Sequence, residues 1–159
     1  MFTNVGFVGL GAMGLGMAAN LVKGGYVVHG FDPSRERVEL ATQHGITVRE
    51  SPRACAEAAD EVLFSVVRTK EQTEQVLFDD GVASVGKPLT IAVASTLDPT
   101  NMRELAEQLA GRGITAVDTT MSGGPWGAEA GTLTLMVSGP PLAVATLEPM
   151  LAVIGGRTV

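Results

Sequence analysis

The sequence predicts a single α/β domain on a doubly wound parallel sheet, and three observations lead there. Short apolar runs alternate with longer segments of helical period along all 159 residues. Most of these runs are continuously apolar, the pattern of strands covered on both faces. Hydrophobic residues make up 45% of the chain and charged residues 18%, so it folds rather than staying disordered. A chain of this length buries roughly 68–70% of its unfolded surface. Aromatics are only 4%, which leaves Ala, Val, Leu and Met to fill the core.

The elements follow in order. A strand is expected at 5–8, then a helix in which Met13, Met17 and Leu21 recur every four residues until Gly24-Gly25 stops it. A second strand at 27–31 ends on Asp32-Pro33, and Arg35 and Arg37 fall in the helix start that follows. A weaker strand is expected at 46–48. Ser51-Pro52 and Asp98-Pro99 each set an N-cap residue before a proline suited to the first helical turn. Between them lie strands at 62–67 and 89–94. The second of these helices shows Met102, Leu105 and Leu109 on one stripe and ends at Gly111. Strands at 116–118 and 133–137 follow, and a last helix runs from Pro140-Pro141 through Leu147 to Leu151.

Composition excludes several classes of function. The net charge of −6, with acids and bases interspersed, offers no basic stripe for nucleic acid. No Lys or Arg precedes Lys23 and glycines interrupt the first apolar run, so no secretory signal is expected. No uninterrupted apolar span of membrane length exists either. The single cysteine, Cys55, excludes an internal disulfide framework and suits a reducing compartment. The chain reads as cytoplasmic, with no membrane partner and no metal site.

Two stretches carry chemistry. The first is Gly9-Leu10-Gly11-Ala12-Met13-Gly14, a GxGxxG between a strand and a helix, with Asp32 closing the next strand 18 residues after Gly14 (32 − 14). Gly9 permits the sharp turn and Gly11 lets the backbone approach a pyrophosphate. Gly14 lets the helix pack closely on the sheet, and the helix N-terminus favours the anion. Asp32 would accept hydrogen bonds from the adenosine ribose hydroxyls and repel a 2′-phosphate, which favours NAD over NADP. Arg35 and Arg37 argue the other way, since either could reach such a phosphate. The second stretch, Ser122-Gly123-Gly124, offers a hydroxyl and approachable N–H groups in sequence, a nest suited to a carboxylate or phosphate.

Together, "GFVGLGAMGLGMAANLVKGG" and "DTTMSGGPWGAEAGTLTLMVSG" resemble the β-hydroxyacid dehydrogenase family (3-hydroxyisobutyrate dehydrogenase and 6-phosphogluconate dehydrogenase-like), in its N-terminal, Rossmann-like NAD-binding domain. The resemblance runs from about residue 4 to residue 139. It implies that residues Gly9, Leu10, Gly11, Ala12, Met13 and Gly14 hold the pyrophosphate and Asp32 the ribose. It places Val67, Arg68 and Gln72 along the cofactor, Thr96 beside the nicotinamide ribose, and Ser122, Gly123 and Gly124 on a substrate carboxylate. The family commonly has Leu-Pro where this chain has Val67-Arg68. Met121 and Trp126 either shape a pocket or simply pack.

The family's general acid/base lysine, with its asparagine on a long helix, has no counterpart here. Lys23, Lys70 and Lys87 fall outside that pattern, so no catalytic residue is expected within 1–159. His29 and His44 read as structural or solvated, and Cys55 as a buried thiol. The resemblance therefore implies a dinucleotide-binding domain cut before an all-helical substrate and dimerisation domain. It would serve hydride transfer between NAD and a small 3-hydroxy acid or its semialdehyde, in a homo-oligomer. Imine reduction and a non-catalytic dinucleotide-binding or assembly module are the alternatives. The Ser122-Gly123-Gly124 nest favours the enzyme.

Overall fold

A computed structural model describes residues 3–159. Eight strands form one sheet: β1 (Asn4–Val8), β2 (Val27–Phe31), β3 (Thr47–Val48), β4 (Val62–Ser65), β5 (Leu89–Val93), β6 (Ile114–Ser122), β7 (Leu133–Ser138) and β8 (Gly155–Thr158). Seven helices connect them: α1 (Gly14–Lys23), α2 (Arg35–Gln43), α3 (Pro52–Ala58), α4 (Lys70–Glu74), α5 (Pro99–Ala110), α6 (Gly124–Ala130) and α7 (Pro141–Ile154). A π-helical turn over Gln75–Asp79 prolongs α4.

The strand order is β3-β2-β1-β4-β5-β6-β7-β8, parallel from β3 through β6. The unbroken apolar runs are explained by two cores. Val5, Phe7, Val62 and Phe64 face α1 and α7, with Met17, Leu21, Leu147 and Leu151. Val8, Leu63, Ile91 and Val93 face α3 and α5, with Cys55, Leu105 and Leu109. Phe7 and Phe64 stack on the first face, ring centres 5.6 Å apart. Both expected N-caps form: the Ser51 hydroxyl accepts from Ala54 N–H at 3.1 Å, and Asp98 from Asn101 N–H at 2.9 Å.

The C-terminal third departs from the expected all-parallel sheet. β7 runs antiparallel to β6, because residues 123–132 are too few for a parallel crossover, which takes a dozen or more. β6 is longer than the expected 116–118. It pairs with β5 up to Asp118 and with β7 from Asp118 to Ser122, so it changes partner in mid-course. The short helix α6 and the edge strand β8 also go beyond the expectation. β8 reads Gly-Gly-Arg-Thr and has no apolar residue to signal a strand, yet it lies parallel to β7. Its Gly155 is needed, since a Cβ there would meet Leu133 O at 2.9 Å.

His29 is buried on β2 in a closed polar chain. Arg49 donates to its Nδ1, from Nε at 3.1 Å and Nη2 at 2.9 Å. Arginine only donates, so Nδ1 must accept and Nε2 carries the proton to Asn4 Oδ1 at 2.8 Å. Asp60 in turn accepts from Thr3 and Asn4 N–H. Cys55 is fully buried, and burial pushes its thiol up to about 12. Both side chains are enclosed by the protein and lie outside the crevice described below.

Candidate functional site

The strand order reverses between β1 and β4, which opens a crevice at their carboxyl ends. Gly9 leaves β1 with φ +99°, and its N–H donates to Phe31 O at 2.9 Å. A Cβ on Gly9 would lie 2.0 Å from Val66 O, so the turn fits against the end of β4 only as glycine. At Gly14 a Cβ would lie 1.8 Å from Gly9 O, so the first turn of α1 closes onto the loop for the same reason. Gly11 differs. A Cβ there would meet nothing within 4 Å, and it lies in the crevice wall. Nothing among the described residues requires a glycine at that position.

Asp32 joins the loop to the end of β2. Its Oδ2 accepts from Leu10 N–H at 2.9 Å and its Oδ1 from Ser34 N–H at 2.8 Å. A carboxylate offers about four acceptor positions, so capacity remains towards the crevice that Asp32 lines. The two arginines behave unlike each other. Arg35 is 93% exposed and pairs with Glu39 at 3.2 Å, one turn along α2. Arg37 turns inward: Nε donates to Leu10 O at 2.6 Å and Nη2 to Gly11 O at 2.9 Å. Leu10 itself has a fully buried side chain and its N–H is taken by Asp32, so its part in the site is to shape the loop.

The opposite wall follows β4. Val67 and Arg68 line the crevice, with Arg68 exposed. Gln72 also lines it, and its Oε1 accepts from Arg68 N–H at 3.0 Å and Thr69 N–H at 3.2 Å. The Thr69 hydroxyl reciprocates to Gln72 N–H at 3.1 Å, a capping box that fixes the start of α4. Behind it, the buried Ser95 hydroxyl donates to Val67 O at 2.8 Å and lies 2.6 Å from Thr73 Oγ1. Sequence reasoning missed Ser95 and Thr73. The motif Thr69-x-x-Gln72 was the available signal for the cap, but nothing local links Ser95 to Val67.

A second crevice continues from the first, sharing Gly11, Val66, Val67 and Arg68 with it. The two hold about 620 and 450 Å³, the range of small-molecule sites. Asp32 lies in the first. The second brings Thr96, Ser122, Gly123 and Gly124 together with Ala12, Met13 and Gly14. Gly123 (φ +132°) and Gly124 (φ +63°) turn the chain from β6 into α6. Ser122 and Thr96 are exposed, and Met121 lines the same crevice while packing on the core. Trp126 is 84% exposed just beyond.

None of the three lysines lines either crevice. Lys70 pairs with Glu74 at 3.6 Å, and Lys87 donates to the carbonyls of Glu57 and Ala59. Lys23, in the last turn of α1, lines a separate crevice with Arg37 and His44. Among the described residues no cluster of three metal-ligating side chains occurs. No described helix is long and apolar enough to cross a membrane.

Comparison with known proteins agrees with this architecture. Residues 4–159 match the family described as the NAD binding domain of 6-phosphogluconate dehydrogenase. The 3-hydroxyisobutyrate dehydrogenase of Pseudomonas aeruginosa is 40% identical over 96% of this chain and 52% of its own length. A structure of Mycobacterium tuberculosis 3-hydroxyisobutyrate dehydrogenase with L-serine superposes with a TM-score of 0.94. It is 34% identical, over 100% of this chain and 54% of that one. Psf3, solved in complex with NADP+ and 2-OPP, gives a TM-score of 0.90 at 29% identity, over 98% of this chain and 55% of that one. The chain spans about half the length of the curated relatives it matches. It belongs to the β-hydroxyacid dehydrogenase family, as an NAD(P)-binding domain of the 6-phosphogluconate dehydrogenase type.

Proposed function

We propose that residues 1–159 form the cofactor-binding half of an oxidoreductase that moves a hydride between NAD and a small 3-hydroxy acid or the matching semialdehyde. The observation that carries the dinucleotide reading is Gly11. Contacts within the chain demand glycine at Gly9 and Gly14, whereas at Gly11 no contact among the described residues does, and a dinucleotide in the crevice accounts for it. A bound nicotinamide cofactor supplies the hydride chemistry. The chain binds, orients and shields. Gly11 and Ala12 N–H groups receive the pyrophosphate, and Asp32 receives the adenosine ribose. Val67, Arg68, Gln72 and Thr96 line the path towards Ser122, Gly123 and Gly124, which grip the substrate carboxylate.

The preference for NAD over NADP rests on Asp32, whose carboxylate repels a 2′-phosphate, and on Arg35 and Arg37 being engaged elsewhere. The general acid/base lysine and the second wall of the pocket belong to a further, all-helical domain, through which the protein forms a homo-oligomer. The exposure of Thr96, Ser122 and Trp126 supports a site completed by such a surface. Calorimetric titration tests the cofactor assignment. NAD+ binds the 159-residue chain more tightly than NADP+, and Asp32→Ala narrows the gap. Tighter binding of NADP+ to the unaltered chain would overturn the role given to Asp32. Assays over a panel of hydroxy acids and semialdehydes should show no turnover, since loss of general acid/base assistance alone costs about 10²–10⁴ in rate.

A further inference from the structure

We infer that Arg37 is a positioning residue for the dinucleotide loop: its guanidinium holds two loop carbonyls from behind, so that the opposite N–H groups are presented to the pyrophosphate. This inference rests on the dinucleotide reading above and adds to it the part that organises the loop. Arg37 is half-buried at the start of α2. Its Nε and Nη2 lie on one edge of the guanidinium plane and donate to consecutive carbonyls, Leu10 O at 2.6 Å and Gly11 O at 2.9 Å. In a trans, planar peptide the C=O and the N–H of the next residue point in opposite directions. Fixing the Leu10 carbonyl therefore aims the Gly11 N–H, and fixing the Gly11 carbonyl aims the Ala12 N–H. Neither N–H has an acceptor among the described residues. The preceding peptide is held from its other side, where Leu10 N–H donates to Asp32. Leu15 N–H also donates to Gly11 O, at 3.1 Å, so Arg37 shares that carbonyl with the start of α1, while the Leu10 carbonyl is held by Arg37.

The cation also acts on the amides it does not touch. A guanidinium hydrogen-bonded to a carbonyl polarises the peptide and strengthens the positive end turned to the ligand. A 2′-phosphate clamp, the other use for an arginine here, would require Arg37 to abandon both carbonyls, and a charged hydrogen bond is the stronger kind. Lysine cannot replace it fully, because an ammonium is a point charge without the two-pronged edge.

The experiment pairs calorimetric titration of NAD+ and NADP+ with ¹⁵N relaxation of the Gly11 and Ala12 amides in the ligand-free protein, for wild type, Arg37→Met and Arg37→Lys. In Arg37→Met both nucleotides lose about tenfold in affinity, the size of one charged hydrogen bond. The order parameters of the two amides fall with no ligand present. Arg37→Lys is intermediate in both measurements and serves alone if Arg37→Met does not fold. A loss confined to NADP+, or unchanged order at both amides, overturns the inference. If the wild type binds neither nucleotide, the cofactor reading fails by itself. The amide order of the ligand-free variants then still decides whether Arg37 organises the loop.

Discussion

The glycine loop after β1 and the Ser122-Gly123-Gly124 turn after β6 border the same crevice, yet the protein holds them by different means. In the loop, Gly9 and Gly14 are locked by near contact with Val66 O and Gly9 O, and Asp32 and Arg37 tie down the backbone between them. The turn depends on backbone conformation at two left-handed glycines. A Cβ on Gly123 would press on the end of the Leu133 side chain, Cδ2 at 3.2 Å, with the Leu133 and Gly127 Cα atoms at ordinary contact distance, and one on Gly124 would meet nothing within 4 Å among the described residues. The exposed Ser122 hydroxyl has no protein partner among the described residues. The loop is organised before any ligand arrives. The turn ties down its Gly123 carbonyl, which accepts from Gly127 N–H at 3.1 Å, but not the Ser122 hydroxyl.

This contrast is broken most severely at the loop's inner glycines. Gly9→Ala or Gly14→Ala forces a carbon into a backbone carbonyl and should cost about 3–5 kcal/mol of stability in urea denaturation. Cofactor binding would be lost along with folding. Gly123→Ala strains the backbone without such a collision, so about 1–3 kcal/mol is expected. If the turn proved as costly as the loop, the distinction between them would disappear.

At Ser122 the contrast is sharpened instead. In a full-length enzyme carrying this segment, Ser122→Ala should raise KM for the hydroxy acid by a factor equivalent to about 1–3 kcal/mol, with NAD affinity little changed. Unchanged kinetics would reduce the turn to a structural corner.

The smallest effect lies away from both regions and sets their background. Burial, then the Arg49 charge, holds His29 below its usual 6.5, against an upward pull from Asp60. The folded state thus prefers the neutral imidazole. Its contribution to stability is whole above pH 6.5 and declines as the pH falls from 6.5 towards the lower folded value, because the unfolded chain takes up the proton first. Urea denaturation between about pH 5 and 8 should show this slope, and His29→Gln should flatten it.

Most of the N-terminal two-thirds was legible because most elements there carry their own signal; α4 and the π-helical turn after it, over 70–79, were not expected. Apolar runs buried on both faces gave the strands, and Ser51-Pro52 and Asp98-Pro99 gave two helix starts. The GxGxxG and Asp32 were legible as a spacing, and the fold brings them within hydrogen-bond reach. The C-terminal third was less so. β8 contains no apolar residue, and the reversal at β7 depends on the shortness of residues 123–132 rather than on any pattern in the strand. Arg37 shows the limit at the site. As a sequence element it was a cation near a possible phosphate. Its bonds to Leu10 and Gly11 join positions 27 and 26 residues apart, and no periodicity reports such a pairing.

The most direct test of the account is Gly11→Ala, measured for stability and for NAD+ affinity on the same protein. A Cβ at Gly11 meets no atom of the described residues within 4 Å, so urea denaturation should give wild-type stability or up to about 1 kcal/mol more. Calorimetry should show at least a tenfold loss of NAD+ affinity, because the added methyl stands where the pyrophosphate must approach the loop. Undiminished NAD+ binding in a stably folded Gly11→Ala would contradict the claim that this glycine exists for the dinucleotide.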